Sequence, residues 1–308
     1  MKYIDLFGGI GGFRYGIEQS NKNWECIWYC DNNKYAVGVY DYQFEENYSP
    51  TDIRGVDVQS IPDFDLLCAG FPCQSFSLAG KRRGFEDMRG TLFFEIARIA
   101  KAKRPKYMLL ENVKGILSNQ KGETFRIILQ TLDELGYDVQ WMVLNSKFFG
   151  VPQHRERVFF IANLRDESAP EILPFRKDTQ VLTEDDKTRK IKLQTQVCGA
   201  IAGGELREYN TFVIPLVTNT VTEAVGTRQG SSKEFLRSVE KIMQSTGQIR
   251  RLTPKECERL QGFPDDWTKY GLIDGRTKEL SDTQRYRLLG NAVTTTVVEA
   301  IANKWCGE

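Results

Sequence analysis

The sequence predicts an α/β protein built on a mostly parallel sheet with helices on both faces. Short apolar runs alternate with amphipathic stretches through residues 1–165, and glycines cluster directly after the first run. Alternating strands and helices are typical of parallel sheets, because each parallel strand needs a long crossover connection. The chain has 308 residues, of which 41% are hydrophobic, so we also expect a large core.

Six strands and two longer helices are predicted in this first part of the chain. The helices have apolar residues at three- and four-residue spacing, which places those side chains on one face. They are expected at 91–101 and 123–135, and the strands at 3–7, 25–29, 66–69, 107–110, 139–144 and 158–163.

The pattern changes after residue 168, where the chain becomes polar and then rich in glycine and β-branched residues. This change predicts a second, smaller and strand-rich domain over 169–277, while 1–168 and 278–308 form the larger domain. A helix is expected after Thr253, a suitable N-cap followed by Pro254. A final helix is expected within 292–305.

Composition excludes several classes of protein. No apolar run approaches the ~18 residues of a membrane span, and residues 1–7 lack the plan of a signal peptide. Seven scattered cysteines do not indicate a disulfide framework, so we expect a reducing cytoplasm. The single histidine, His154, excludes multi-histidine sites, and we expect no metal. The net charge of +1 decides nothing about nucleic acid, because basic residues can be grouped locally.

The segment DLFGGIGGF at 5–13 predicts a ligand site at the end of the first strand. Glycines there let the backbone approach a ligand closely. Arg14 stands where a dinucleotide-binding loop would carry its third glycine, so a ligand without pyrophosphate fits better. Asp31 ends the second strand, where an acid binds ribose hydroxyls. The alternative interpretation is a tight turn with a surface aspartate.

Two further strand ends carry reactive groups. Cys73 follows Pro72 after the third strand, while Glu111 and Asn112 end the fourth. Because parallel strands end at the same edge of a sheet, all three are expected to face the crevice that the glycines line. The competing interpretations are a small buried cysteine and a structural carboxylate.

Basic residues accompany these groups. Gln153, Arg155 and Arg157 alternate at the start of a predicted strand and should share one face. Arginine suits bidentate contacts to oxygens, and the alternative is an ion-pair network that fixes the sheet edge. Both can hold, since an arginine can also orient Glu111. The stretch 78–90 brackets basic residues with glycines, as expected of a mobile lid over a phosphate backbone, or of a solvated loop.

Taken in order, these motifs resemble the DNA cytosine-5 methyltransferase family of bacterial and phage restriction-modification systems over nearly the whole chain. The matching segments are Phe7-x-Gly-x-Gly11, Pro72-Cys73-Gln74, Glu111-Asn112-Val113, Gln153-x-Arg155-x-Arg157, the stretches from Arg251 and Leu260, and Gly290-Asn291-Ala292-Val293.

The resemblance implies a Rossmann-like S-adenosylmethionine-dependent domain and a target-recognition domain, with a cleft for duplex DNA between them. It implies that Cys73 attacks carbon 6 of a flipped-out cytosine, with Glu111, Asn112, Arg155 and Arg157 as the other catalytic residues. The donor site would comprise Phe7, Gly8, Ile10, Gly11, Asp31, Asn32, Asp52, Ile53, Pro72, Leu92, Asn291 and Val293. The DNA contacts would comprise Ser75, Ser77, Lys81, Arg82, Arg83 and Gln153.

Asp31 and Asn32 depart from the family pattern, in which glutamate and a bulky apolar residue are common at these places. A cognate restriction endonuclease is the implied partner, and a monomer is expected. Two alternatives stay open at this point: methylation of tRNA cytosine by the same residues, and a non-catalytic DNA-binding relative.

Overall fold

The computed structural model describes residues 1–72, 92–165, 172, 241–243 and 249–305. Its first six strands are β1 (Lys2–Leu6), β2 (Glu25–Cys30), β3 (Leu66–Gly70), β4 (Tyr107–Val113), β5 (Tyr137–Asn145) and β6 (Glu156–Leu164). They form one sheet in the order β2-β1-β3-β4-β6-β5. The β1–β2, β1–β3 and β3–β4 pairs are parallel, whereas β6 runs antiparallel to both of its neighbours. The predicted fold class is confirmed, and each predicted strand is present within three residues at either end.

Four of the described helices, at 92–103, 123–134, 254–260 and 295–304, match those predicted from the sequence. The described helices are α1 (Gly12–Glu18), α2 (Lys34–Phe44), α3 (Leu92–Lys103), α4 (Glu123–Glu134), α5 (Pro254–Leu260), α6 (Asp282–Asn291) and α7 (Thr295–Lys304). Thr253 caps α5 as predicted, in a capping box with Glu256. The final helix begins at Thr295 rather than at 292, because Ala292 has an extended backbone that separates α6 from α7.

Helices cover both faces of the sheet, because strand side chains alternate in direction. One face packs against α3 and α4 through a buried cluster that includes Leu6, Leu67, Leu110, Phe160, Phe93 and Ile128. The other packs against α1 and α7 through a cluster that includes Tyr3, Leu109, Ile161, Phe13 and Ile301.

A third cluster joins α2 to the C-terminal part of the chain, with buried side chains from α2, α5 and α6. After α5 the chain forms an antiparallel hairpin, which follows the short antiparallel pair β7 (Lys241–Met243) and β8 (Ile249–Arg251). The hairpin strands are β9 (Tyr270–Ile273) and β10 (Arg276–Glu279). A Cβ atom added at Gly38 in α2 would lie 2.2 Å from the Ile273 side chain, so the hairpin packs directly on α2.

The predicted domain limits at 168/169 and 277/278 stay a prediction. Within the described ranges, no helix combines the length and apolar character needed to cross a membrane.

Candidate active site

The glycine loop after β1 has an unusual backbone. Phe7, Gly9 and Gly11 all have left-handed φ angles, of 54°, 56° and 84°. This region is uncommon for a bulky residue such as phenylalanine, and such strain collects at ligand sites. A Cβ atom at Gly11 would lie 2.3 Å from the Phe44 ring, so glycine is required there both by conformation and by space.

Hydrogen bonds from three directions hold this loop. The Asp31 carboxylate accepts from the Gly9 N–H at 3.0 Å, and the Tyr29 hydroxyl donates to the Gly9 carbonyl at 2.8 Å. The Trp267 indole N–H donates to the Ile10 carbonyl at 3.0 Å. Asp31 therefore fixes the loop besides standing at its edge. Sequence reasoning missed Tyr29 and Trp267, because neither belongs to a motif.

Asp5 lies beneath the loop and is fully buried. Neither carboxyl oxygen has a hydrogen-bond partner among the described residues. A Cβ atom at Gly8 would lie 2.7 Å from the Asp5 carboxyl, so the loop covers it closely. Burial raises the pKa of Asp5 well above its ordinary value, and the nearby charge of Asp31 adds to this. An acidic residue inside an apolar strand was the available sequence signal for this group.

The acids of the predicted donor site differ in charge environment. Burial raises the pKa of Asp31, although backbone N–H groups oppose the shift. Asp52 is partly exposed and pairs with Arg54, which lowers the pKa of Asp52 to about 2. Ile53 beside it is buried. A cavity of about 400 Å³ opens at the start of α2 and borders α6, lined by Asn32, Asn33, Lys34, Tyr35, Gln284, Arg287 and Leu288.

The turn between α6 and α7 brings the remaining donor residues to the loop. A Cβ atom at Gly12 would lie 2.7 Å from the Val293 side chain, so turn and loop are in direct contact. Asn291, the last residue of α6, is exposed. Residues from the two ends of the predicted larger domain therefore meet, as the resemblance implies.

The segment that leads to Cys73 is fixed by Asn112. Strand β3 ends at Gly70, and the Asn112 side-chain amide donates to the Phe71 carbonyl at 2.9 Å. Its oxygen accepts from the Val113 N–H. Asn112 is nearly inaccessible, so it contacts the chain before Pro72 rather than presenting its amide at a surface. The predicted residues Cys73, Ser75, Ser77, Lys81, Arg82 and Arg83 lie outside the described residues.

Glu111 and Arg157 form a buried ion pair. Arg157 Nε lies 3.0 Å from Glu111 Oε1, with the two side chains 8% and 11% exposed. Gly70, at the end of β3, is the pairing partner of Glu111. Burial raises the pKa of Glu111, while Arg157 and Arg155 act against this rise. The acid is therefore held beside a cation, close to the strand end that leads to Cys73.

Arg155 and Gln153 precede β6 and do not lie on it as predicted, since that strand begins at Glu156. The Arg155 guanidinium donates to the Ala292 carbonyl at 2.6 Å and, over longer distances, to the Gly290 carbonyl. It thus ties this side of the sheet to the donor turn. Gln153 is fully buried, and its contact with DNA stays a prediction.

The described cysteines are Cys26, Cys30, Cys68 and Cys257, all as free thiols. Burial raises the pKa of Cys26 and of Cys30 to about 12, and raises that of Cys68 as well. Thiols with such values are poor nucleophiles at neutral pH.

Comparison with known proteins identifies the family of the chain. Residues 1–306 match the family model described as C-5 cytosine-specific DNA methylase. The chain belongs to this family. The prediction of a DNA cytosine-5 methyltransferase is thereby confirmed.

Two relatives illustrate the extent of the similarity within the C-5 cytosine-specific DNA methylase family. The type II methyltransferase M1.ScrFI of Lactococcus lactis subsp. cremoris is 39% identical over 98% of this chain and 77% of its own length. The type II methyltransferase M.HhaI of Haemophilus parahaemolyticus is 34% identical over 98% of this chain and 93% of its own. Among solved structures, the Dnmt2 methyltransferase of S. pombe has a TM-score of 0.63 at 20% identity, covering 97% of this chain and 96% of that chain. At 20% identity, this structural similarity shows that the two proteins share a fold.

Proposed function

We propose that this methyltransferase uses Cys73 as its nucleophile and S-adenosylmethionine as its methyl donor, and acts on a flipped-out cytosine in a specific duplex sequence. One observation carries the proposal: Glu111, a buried acid paired with Arg157, adjoins the strand end three residues before Cys73. An acid and a nucleophile at neighbouring strand ends are the groups that attack on a pyrimidine ring requires.

The acceptor chemistry explains each residue type. Carbon 5 of cytosine becomes nucleophilic once the Cys73 thiolate forms a bond to carbon 6. Glu111 donates a proton at ring nitrogen 3 as negative charge develops there. After methylation, loss of the carbon-5 proton to a base and cleavage of the carbon 6–sulfur bond release Cys73. No step requires histidine, in agreement with the single His154.

Burial and charge suit Glu111 to this role. Its raised pKa keeps a proton available closer to neutral pH than an exposed glutamate would. Arg157 orients the carboxyl and stabilises the charge left after proton donation. Asn112 acts on the other reactant, because its bond to the Phe71 carbonyl fixes the chain that presents Cys73.

The donor site fits S-adenosylmethionine in the chemistry of its residues. A Cβ atom added at Gly9 would meet no atom closer than 4.0 Å, so a ligand can approach the loop backbone there. The Asp31 carboxylate, which accepts from the Gly9 N–H, stands at the loop edge to accept from ribose hydroxyls. When bound, S-adenosylmethionine supplies an electrophilic methyl group on a sulfonium. The residues that would hold it are Phe7, Gly8, Ile10, Gly11, Asp31, Asn32, Asp52, Ile53, Pro72, Leu92, Asn291 and Val293.

We further propose that residues 169–277 read the DNA sequence and that the basic stretch at 78–90 contacts its backbone. Target sequence is read by side chains at base edges. The type II relatives support a cognate restriction endonuclease as a functional partner. We also propose that the enzyme acts as a monomer in the bacterial or phage-infected cytoplasm.

A trapping experiment tests the mechanism. Duplex DNA with 5-fluorocytosine at the target cannot lose its carbon-5 substituent as a proton, so the bond to Cys73 should persist. The wild-type protein with S-adenosylmethionine should give a covalent complex on a denaturing gel, and Cys73→Ala should give none. Cys26→Ala, which removes a thiol with a pKa of about 12, is the matched control and should behave as wild type. The target would first be located by bisulfite sequencing of DNA from expressing cells.

Undiminished trapping by Cys73→Ala would disprove the proposed nucleophile. A competition between duplex DNA and tRNA, scored by transfer of a labelled methyl group, should give labelled DNA. Transfer to tRNA alone would overturn the proposed substrate.

A further inference from the structure

The helix α5 and the chain that follows it contact both halves of the proposed donor site. Trp267 donates its indole N–H to the Ile10 carbonyl in the glycine loop at 3.0 Å. Gln261, at the end of α5, binds the chain around the donor turn: its amide nitrogen donates to the Leu289 carbonyl at 3.3 Å. Its amide oxygen accepts from the Thr294 hydroxyl at 2.9 Å. The sequence places these residues in the domain predicted to read DNA, yet their polar atoms point at donor elements.

We propose that Trp267 and Gln261 are positioning residues for the methyl donor, which fix the glycine loop and the α6–α7 turn in their binding conformation. This inference rests on the proposed donor site. It assigns a donor-binding role to a part of the chain predicted to serve recognition of DNA.

Burial makes the Trp267 contact specific. Trp267 is 7% exposed and Ile10 is 1% exposed, so the Ile10 carbonyl depends on a protein donor. The indole packs against Tyr15, Phe263 and Phe44 at centroid distances of 4.8, 5.2 and 5.6 Å. These rings fix the direction of the N–H, and the N–H fixes the loop.

The Gln261 contact is also buried, since Gln261 is 1% exposed. Its backbone carbonyl separately accepts from the Thr295 N–H at 2.9 Å, which docks the start of α7. A change of side chain leaves that bond in place. Gln261 variants therefore test the turn without detaching the helix.

The two contacts converge because loop and turn touch through Gly12 and Val293. Residues that hold a site in its bound shape reduce the ordering that a ligand must impose. Loss of either contact should weaken donor binding more than it weakens the fold.

Paired tryptophan variants of the full-length protein provide the test. Trp267→Phe removes the N–H and keeps an aromatic ring. Trp305→Phe is the matched control, since Trp305 is 5% exposed and its indole nitrogen has no acceptor among the described residues. Calorimetric titration with S-adenosylhomocysteine and steady-state kinetics would be measured beside the melting temperature.

We expect Trp267→Phe to weaken S-adenosylhomocysteine binding about 5- to 10-fold, the effect of one lost buried hydrogen bond. The KM for S-adenosylmethionine should rise in parallel, with kcat and the KM for DNA nearly unchanged. Trp305→Phe should change none of these, although both variants lower the melting temperature. Gln261→Met, which removes both side-chain hydrogen bonds without adding a charge, should resemble Trp267→Phe.

Equal donor affinity in Trp267→Phe, Gln261→Met and Trp305→Phe would overturn this inference while leaving the proposed function intact. Failure of the wild-type protein to bind S-adenosylhomocysteine would instead overturn the proposed donor, and this inference with it. If Trp267→Phe does not fold, Gln261→Met gives the same decision.

Discussion

Glu111 and Asp5 are two buried carboxyl groups on the same face of one sheet, near the ends of β4 and β1. Glu111 is paired with Arg157 at 3.0 Å, whereas neither oxygen of Asp5 has a partner among the described residues. Burial raises the pKa of both groups, but a cation opposes the rise at Glu111 by direct contact. Glu111 can therefore release and regain a proton beside its cation. Asp5 has no such partner among the described residues, so its charged form is disfavoured.

The largest expected effect is on catalysis, from Glu111→Gln. The variant keeps the shape of the side chain and cannot donate the proton, so kcat should fall by about 10²- to 10⁴-fold. Binding of DNA and of S-adenosylhomocysteine should survive. Glu134→Gln, at the exposed end of α4, is the control for a generic loss of negative charge. A variant Glu111→Gln that methylates at the wild-type rate would remove Glu111 from the mechanism.

The next effect is on stability, from Arg157→Leu. Removing one member of a buried pair leaves an uncompensated charge, which typically costs about 3–5 kcal/mol. Without Arg157 the pKa of Glu111 rises further, so the loss of stability should be smaller at about pH 5 than at about pH 8. Urea unfolding at both values measures this.

Combining Arg157→Leu with Glu111→Gln should restore part of the stability lost at about pH 8, because neither member of the pair then carries a charge. A loss that is the same at both pH values, and that the double variant keeps, would mean that Arg157 acts through packing alone.

The smallest effect is expected from Asp5→Asn, and it has the opposite sign. A group whose folded pKa lies above its unfolded value contributes stability below the unfolded pKa, and this is lost as pH rises through the folded pKa. Asparagine removes that loss, so Asp5→Asn should be about 1–3 kcal/mol more stable than wild type near about pH 8. The gain in stability should shrink as the pH falls toward the pKa of an ordinary aspartate.

Asp63→Asn, at a side chain that is 96% exposed, should show little change at any pH. Destabilisation by Asp5→Asn at high pH would show that the carboxylate is favoured where it lies, against the direction argued from burial.

The sequence was informative where function lies in short, local patterns. The six strands follow apolar runs, and parallel strands end together, so the proximity of the glycine loop and Glu111 could be predicted. The pairing of Glu111 with an arginine was foreseen as one interpretation of residues 153–157. It is Arg157 that makes the contact, because β6 runs against β4 and brings its first residues to the end of that strand.

Contacts between distant segments could not be predicted in this way. Asn112 was expected at the substrate, yet it binds the Phe71 carbonyl, which depends on how β3 and β4 pair. Arg155 binds carbonyls at 290 and 292, 135 and 137 positions away. No periodicity or spacing rule relates such residues, since their proximity follows from the packing of separate elements.

The hydrogen bond from Trp267 to Ile10 has a consequence for the newly made chain. It joins residues 257 positions apart, and a ribosome releases the first of them well before the second. The sheet strands near the N-terminus can begin to fold as they emerge, but the glycine loop acquires this partner only after α5 has been synthesised. Contacts between such distant positions also form slowly. We therefore expect nascent chains to bind the donor poorly until synthesis is nearly finished, so that methylation is confined to molecules whose DNA-reading part is already made.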